Sequence, residues 1–304
     1  VIKLGGVYSV LPTPFDSKGD LDLDSLKRVI DLFISAGVSG LTALGVTSEV
    51  ARMNDAERIQ VLQTVVQHVN RRVRVVAGAT ADGLRTCIDY TKFAKDTGAD
   101  AVMISPPRMP KINSDAVVRH FASVASVVDM PIVVQDYPPI SGYAMEPWLL
   151  VRIAREVPAA GTIKLEDPPT PFKTSRIREL SQGMDIGIFG GLGGVFLLEE
   201  LMAGATGAMT GFAFPEILVK IVKLFHSGDL DGAAEAFYPY VSLMRFEFQE
   251  GIGMAIRKEV LKRRGVIACA DIRPPGAKLD ATTLAALERV MAYSNTSVGV
   301  ANRS

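Results

Sequence analysis

Residues 159–172 read AAGTIKLEDPPTPF. The run around Thr162–Leu165 is too short for a helix and is cut off by two acids and two prolines. A short apolar run bounded in this way reads as a strand buried on both faces, the kind found in parallel sheets. Its third residue is Lys164, so a charged amine is carried to the end of a buried strand beside Glu166 and Asp167. Both the fold and the chemistry follow from how that lysine is placed.

Seven more runs of this character punctuate the chain. They are GVYSVL at 6–11, SGLTAL at 39–44, RVRVVAG at 72–78, DAVMIS at 100–105, MPIVVQDY at 130–137, DIGIFGG at 185–191 and GATGAMTG at 204–211. Between them lie amphipathic segments such as LDSLKRVIDLFISAG and DAERIQVLQTVVQHV, apolar at helical spacing. Asn54 and Ser114 are placed to cap helix starts, and Gly37, Gly98 and Gly204 to end helices. Eight such units in about 210 residues predict an α/β fold, a closed (β/α)8 TIM barrel. The barrel is expected over 1–214. From 215 to 304 the alternation stops, and helical patterns predict an extension packed on the barrel. An open doubly wound sheet is disfavoured, because LPTPFDSKGD after the first strand carries prolines in place of a glycine-rich phosphate loop.

Composition narrows the function classes. The chain has 304 residues, 48% of them apolar, enough for a large core. Thirty-three basic residues balance thirty-three acidic ones, which argues against nucleic-acid and membrane-surface partners. NRRVRV at 70–75 and LKRRG at 261–265 read as helix-end and helix-face charges. Cys87 and Cys269 belong to no metal or redox spacing. No apolar run approaches the length of a membrane span, and a cytoplasmic protein is expected.

Catalytic groups of such barrels stand at the C-terminal strand ends. There the chain offers Thr47, Ser48 and Glu49 in GVTSE, Asp136 and Tyr137, Lys164, Glu166 and Asp167, and the glycine loop FGGLGG. Side chains two apart share a strand face, which groups Thr162, Lys164 and Glu166, and likewise Val133, Gln135 and Tyr137. A lysine in an apolar mouth loses hydration, its charged form is disfavoured, and the neutral amine can attack a carbonyl. A nearby phenol can shuttle protons to the adduct. From the residues alone, Lys164 is equally readable as a rim ion pair with Glu166 or Asp167, Tyr137 as rim filler and GVTSE as a helix cap. Glu49 is read as structural. Gly190 and Gly191 offer backbone N–H groups for a carboxylate. His68, His120 and His226 fall on helices, away from the strand ends, so no metal site is expected.

The opening TPFDSKGDLD, the loop GVTSEVARM, the tyrosine of QDYPPISG and the lysine of GTIKLED together resemble the dihydrodipicolinate synthase/N-acetylneuraminate lyase family of Schiff-base enzymes, over essentially the whole chain. The resemblance implies a homotetramer or homodimer without added cofactor, acting on a 2-keto acid such as pyruvate. It implies Lys164 as the imine lysine, Tyr137 as the proton shuttle, and Thr47 and Ser48 near the substrate carboxylate. Three departures point away from the synthase reaction. Val46 replaces a relay threonine, Pro106 and Pro107 stand where a tyrosine is expected, and YPPISGY lacks an arginine for the second substrate. Glu166, two residues after Lys164, is instead similar to 2-keto-3-deoxyarabonate-type dehydratases. The expectation is dehydration of a 2-keto-3-deoxy sugar acid, with an aldolase, a condensation enzyme or a non-catalytic keto-acid-binding barrel as alternatives.

Overall fold

In the computed structural model, which describes residues 4–296, eight parallel strands close on themselves in sequential order. They are β1 (Gly6–Val10), β2 (Gly40–Ala43), β3 (Arg74–Gly78), β4 (Ala101–Ile104), β5 (Ile132–Asp136), β6 (Thr162–Leu165), β7 (Gly187–Gly190) and β8 (Gly207–Thr210). β8 pairs back onto β1 through Tyr8 and Met209. Each expected run contains one strand, so the (β/α)8 TIM barrel read from the sequence is the architecture found.

Alternation along each strand divides the core in two. One set of side chains, Leu4, Tyr8, Val76, Ala101, Met103, Val133, Phe189 and Met209, fills the barrel interior. Tyr8 and Phe189 meet there edge to face at 5.3 Å. The other set, including Val75, Val102, Val134, Ile163 and Ile188, packs outward against the helices. Burying each such side chain contributes roughly 1.5–3 kcal/mol, so both faces of every strand hold the barrel.

Local signals set the helix ends. Asn54 accepts from the Glu57 N–H at 2.9 Å, while Glu57 accepts from the Asn54 N–H at 3.0 Å, a reciprocal cap for Asp55–Val69. At the other end of that helix Arg72 donates to the carbonyls of Val69 and His68. The cap of Ser114–Val127 is Asn113, not Ser114: the Asn113 side chain accepts from Ala116 N–H at 2.9 Å, and the Ser114 hydroxyl instead bonds the Tyr143 hydroxyl.

After β8, helix Pro215–His226 packs on β1 and against helix Leu230–Phe237. The apolar stretch from 229 to 249 is not one helix. Pro239 lacks an N–H and crowds the preceding turn, and the chain breaks there into Leu230–Phe237, a tight turn at Tyr238–Tyr240, and Val241–Glu247. Helices Gly253–Arg263 and Ala281–Tyr293 complete the extension. No helix among the described residues is long and apolar enough to cross a membrane.

Candidate active site at the barrel mouth

Lys164 points into the mouth, 4% exposed, with its Nζ 3.0 Å from Glu166 Oε2. The apolar surroundings expected for this amine are therefore broken by a carboxylate on the same strand face. Glu166 is itself fixed, since Oε2 also accepts from Gln135 Nε2 at 2.7 Å. Gln135 Oε1 accepts from Ser105 Oγ at 3.1 Å, and the Ser105 N–H donates to Thr80 Oγ1 at 3.0 Å. A hydrogen-bonded chain thus runs from β3 to β6 across four strand ends and terminates on the lysine.

Tyr137 is half-buried next to this chain. Burial pushes its phenol above the usual tyrosine range, and the negative charges of Glu166 and Glu250 push it further. Asp136, the neighbour counted with Tyr137 at the strand end, faces the other way. It meets Lys173 Nζ at 2.7 Å behind the sheet, and Lys173 also holds Asp167 at 2.9 Å and the Met145 carbonyl at 3.0 Å. Burial lifts the Asp136 carboxyl to about 6 against the opposing pull of Lys173. Asp136 and Asp167 thereby fasten the loops after β5 and β6 to helix Thr170–Leu180 and leave the mouth to Tyr137, Lys164 and Glu166.

The loop after β2 separates the roles of its three polar residues. Ser48 Oγ donates to the Leu11 carbonyl at 2.6 Å and accepts from the Gly45 N–H at 3.1 Å, so it ties the loop to β1. The Thr47 hydroxyl is buried with no hydrogen-bond partner among the described residues. Glu49, buried with φ of 60°, accepts from Lys258 Nζ and from the Arg273 N–H at 3.1 Å, as its structural reading expects.

The two glycines of the seventh strand end make room for carboxylates. A methyl group on Gly190 would lie 1.7 Å from Glu200 Oε2 on the outside of the barrel. One on Gly191 would lie 2.3 Å from Glu166 Cγ in the mouth. Beside the site is a cavity of about 360 Å³, bordered by Gly45, Val46, Met103, Arg108 and Gln135. Arg108 is exposed, its N–H on Asp82 Oδ1 at 2.8 Å and its guanidinium on the Pro139 carbonyl.

Residues 3–293 match the dihydrodipicolinate synthetase family. The chain belongs to that family. It is 33% identical over 288 residues to L-2-keto-3-deoxyarabonate dehydratase of Azospirillum brasilense, covering 93% of this chain and 92% of that one. It is 32% identical over 247 residues to 4-hydroxy-tetrahydrodipicolinate synthase of Methanocaldococcus jannaschii, covering 81% and 83%. The crystal structure of dihydrodipicolinate synthase from Rhodopseudomonas palustris superposes with a TM-score of 0.90 at 32% identity, covering 95% of this chain and 97% of that one.

Within a dihydrodipicolinate synthetase family barrel, sequence reasoning missed Lys173, Glu200 and Arg257, each buried and charged. Each lies on a helix that the chain folds back onto a strand end. For Glu200 and Arg257 glycine was the sequence signal available, because a strand end that carries glycine leaves space for a side chain from elsewhere. Among the described residues no group of three His, Cys, Asp or Glu is placed to hold a metal ion.

Proposed function

We propose that this family lyase dehydrates a 2-keto-3-deoxy sugar acid through an imine on Lys164. The observation that carries the reading is the buried Lys164–Glu166 contact at 3.0 Å. Glu166 takes a proton from the ammonium, and the neutral amine attacks the C2 carbonyl. Tyr137 protonates the carbinolamine hydroxyl, which leaves as water to give the iminium ion, and the Tyr137 phenolate recovers its proton from Glu166, which is then ionised again. Loss of a C3 proton to Glu166 forms the enamine. Glu166 then returns that proton to the C4 hydroxyl as the C4–O bond breaks. Tautomerisation and hydrolysis release the product and restore the amine. The Thr47 hydroxyl and the Gly191 backbone receive the substrate's C1 carboxylate, the Ser48 side chain holding the loop that presents Thr47. Assembly as a homotetramer or homodimer belongs to the same reading.

The closeness to L-2-keto-3-deoxyarabonate dehydratase supports dehydration, and so do the residues the synthase reaction would need: Val46 and the Pro106–Pro107 pair stand in their places. The test is borohydride reduction with pyruvate and with a 2-keto-3-deoxypentonate, followed by peptide mass spectrometry and product analysis. An adduct on Lys164 and a dehydrated product without pyruvate are expected. Glu166→Gln should still trap pyruvate, but more slowly because the ammonium must then lose its proton to solvent, while dehydration slows by about 10²–10⁴-fold. Release of pyruvate and an aldehyde would replace this reading with retro-aldol cleavage, and absence of any adduct would remove both.

A further inference from the structure

Met209 on β8 fills the barrel interior, and continuing the same alternation one residue past the strand's end turns Gly211 toward the mouth. The place of its missing side chain is taken. A methyl group on Gly211 would lie 2.2 Å from Nη1 and 2.7 Å from Cζ of Arg257, which comes from helix Gly253–Arg263. On the neighbouring strand the same vacancy at Gly191 holds Glu166. Two adjacent strand ends thus leave gaps, one filled by the acid beside Lys164 and the other by a guanidinium.

Arg257 is 4% exposed, yet its Nε and Nη1 make no hydrogen bond among the described residues. Its one ion pair is a loose one, Nε to Glu247 Oε2 at 3.5 Å, and that oxygen already accepts from the Ala213 N–H. The other charged residues at this end of the helix are differently placed. Lys258 bonds Glu49 and the Asp271 carbonyl, and Arg264 bonds the Ala213 carbonyl and Glu216. Buried N–H donors on a cation are costly to leave open. A planar fork of donors is suited to oxygens presented side by side.

We propose that Arg257 determines specificity by hydrogen-bonding the hydroxyls on the tail of a 2-keto-3-deoxy sugar acid. This rests on the reading in which Lys164 forms the imine. With C1 toward Thr47 on the β2 side and C2 at Lys164 on β6, the remaining carbons can turn toward β4 or β8. The β4 side presents the apolar Met103, a Ser105 hydroxyl engaged by Gln135 and, across the cavity, an exposed Arg108 whose guanidinium bonds the Pro139 carbonyl, whereas the β8 side presents buried donors without partners among the described residues. Glu247 already balances the guanidinium charge, so neutral hydroxyls satisfy the donors without placing a second anion on one buried cation.

The experiment compares Arg257→Met and Arg257→Lys with the unaltered full chain. Two readouts are taken: pyruvate concentration dependence of borohydride trapping at Lys164, and KM and kcat for a 2-keto-3-deoxypentonate. Pyruvate has no tail, so its trapping should stay within about twofold, while kcat/KM for the sugar acid falls about 10- to 100-fold, chiefly through KM, as for a lost bond to a charged group. The lysine variant, which keeps the charge and most of the packing, should lose less than the methionine variant. An equal loss of both readouts, or no loss with the sugar acid, overturns the assignment. Should the methionine variant fail to fold, the same split in the lysine variant decides. If the unaltered chain traps neither ligand, it is the imine reading that fails, visibly and before any variant is made.

Discussion

A buried hydroxyl either bonds to the protein or stands ready for a ligand, and Thr47 and Ser48 divide on that point. Thr47→Val removes a group that bonds nothing among the described residues, so stability should hold while KM for pyruvate in the trapping reaction rises about 10- to 100-fold, as for one lost hydrogen bond to a charged group. Ser48→Ala strands the Leu11 carbonyl and the Gly45 N–H and should lower stability by about 1–3 kcal/mol in urea melts. A valine variant as unstable as the alanine variant would contradict this division. Strand parity alone put Lys164, Glu166, Gln135 and Tyr137 toward one space, because a period of two needs no knowledge of the rest of the chain. It could not tell that Asp136 and Asp167 would turn to Lys173, nor that Arg257 would reach Gly211, because those contacts join positions that only the closed barrel brings together.

Strands were the legible elements. Each is short, apolar and bounded by turn residues, and all eight runs hold one. Helix detail was less so: two adjacent capping residues, Asn113 and Ser114, compete for one role, and Pro239 interrupts an apolar pattern that otherwise continues. Helix Leu197–Met202 carries a feature announced only by the glycine opposite it. Its Glu200 is pressed against Gly190 with one oxygen on the Thr170 hydroxyl at 2.6 Å and the other unbonded, and burial pushes the carboxyl up to about 8. An acid whose folded value is raised binds more protons folded than unfolded, so its ionisation lowers stability as pH climbs from the unfolded value toward about 8. Glu200→Gln should therefore match the parent near pH 4 and gain on it progressively up to pH 8, by at most about 1.4 kcal/mol per pH unit. A pH-independent difference in melting temperature would show that Glu200 does not titrate in this way.

At the scale of the whole molecule, the C-terminal helices are fastened to the barrel through buried charge. Glu49, in the loop that presents Thr47, accepts from both Lys258 and Arg273, and the Arg273 guanidinium continues to Glu57 at 2.6 Å. Arg28 adds a bond to the Val266 carbonyl at 2.9 Å. Barrel and extension should consequently unfold in a single transition by both far-UV and near-UV signals. Lys258→Met, which leaves Glu49 without its ammonium partner, should lower that one transition by about 3–5 kcal/mol. Two resolved transitions in the parent protein would show the extension to be an independent unit. The glycines at 191 and 211 carry a different implication. Where a strand ends in an empty position, the group that occupies it is drawn from another part of the chain, so the inventory of the mouth is written partly in the helices. Such a barrel can change what it accepts by exchanging one helix residue, while the strands that hold Lys164 keep their register.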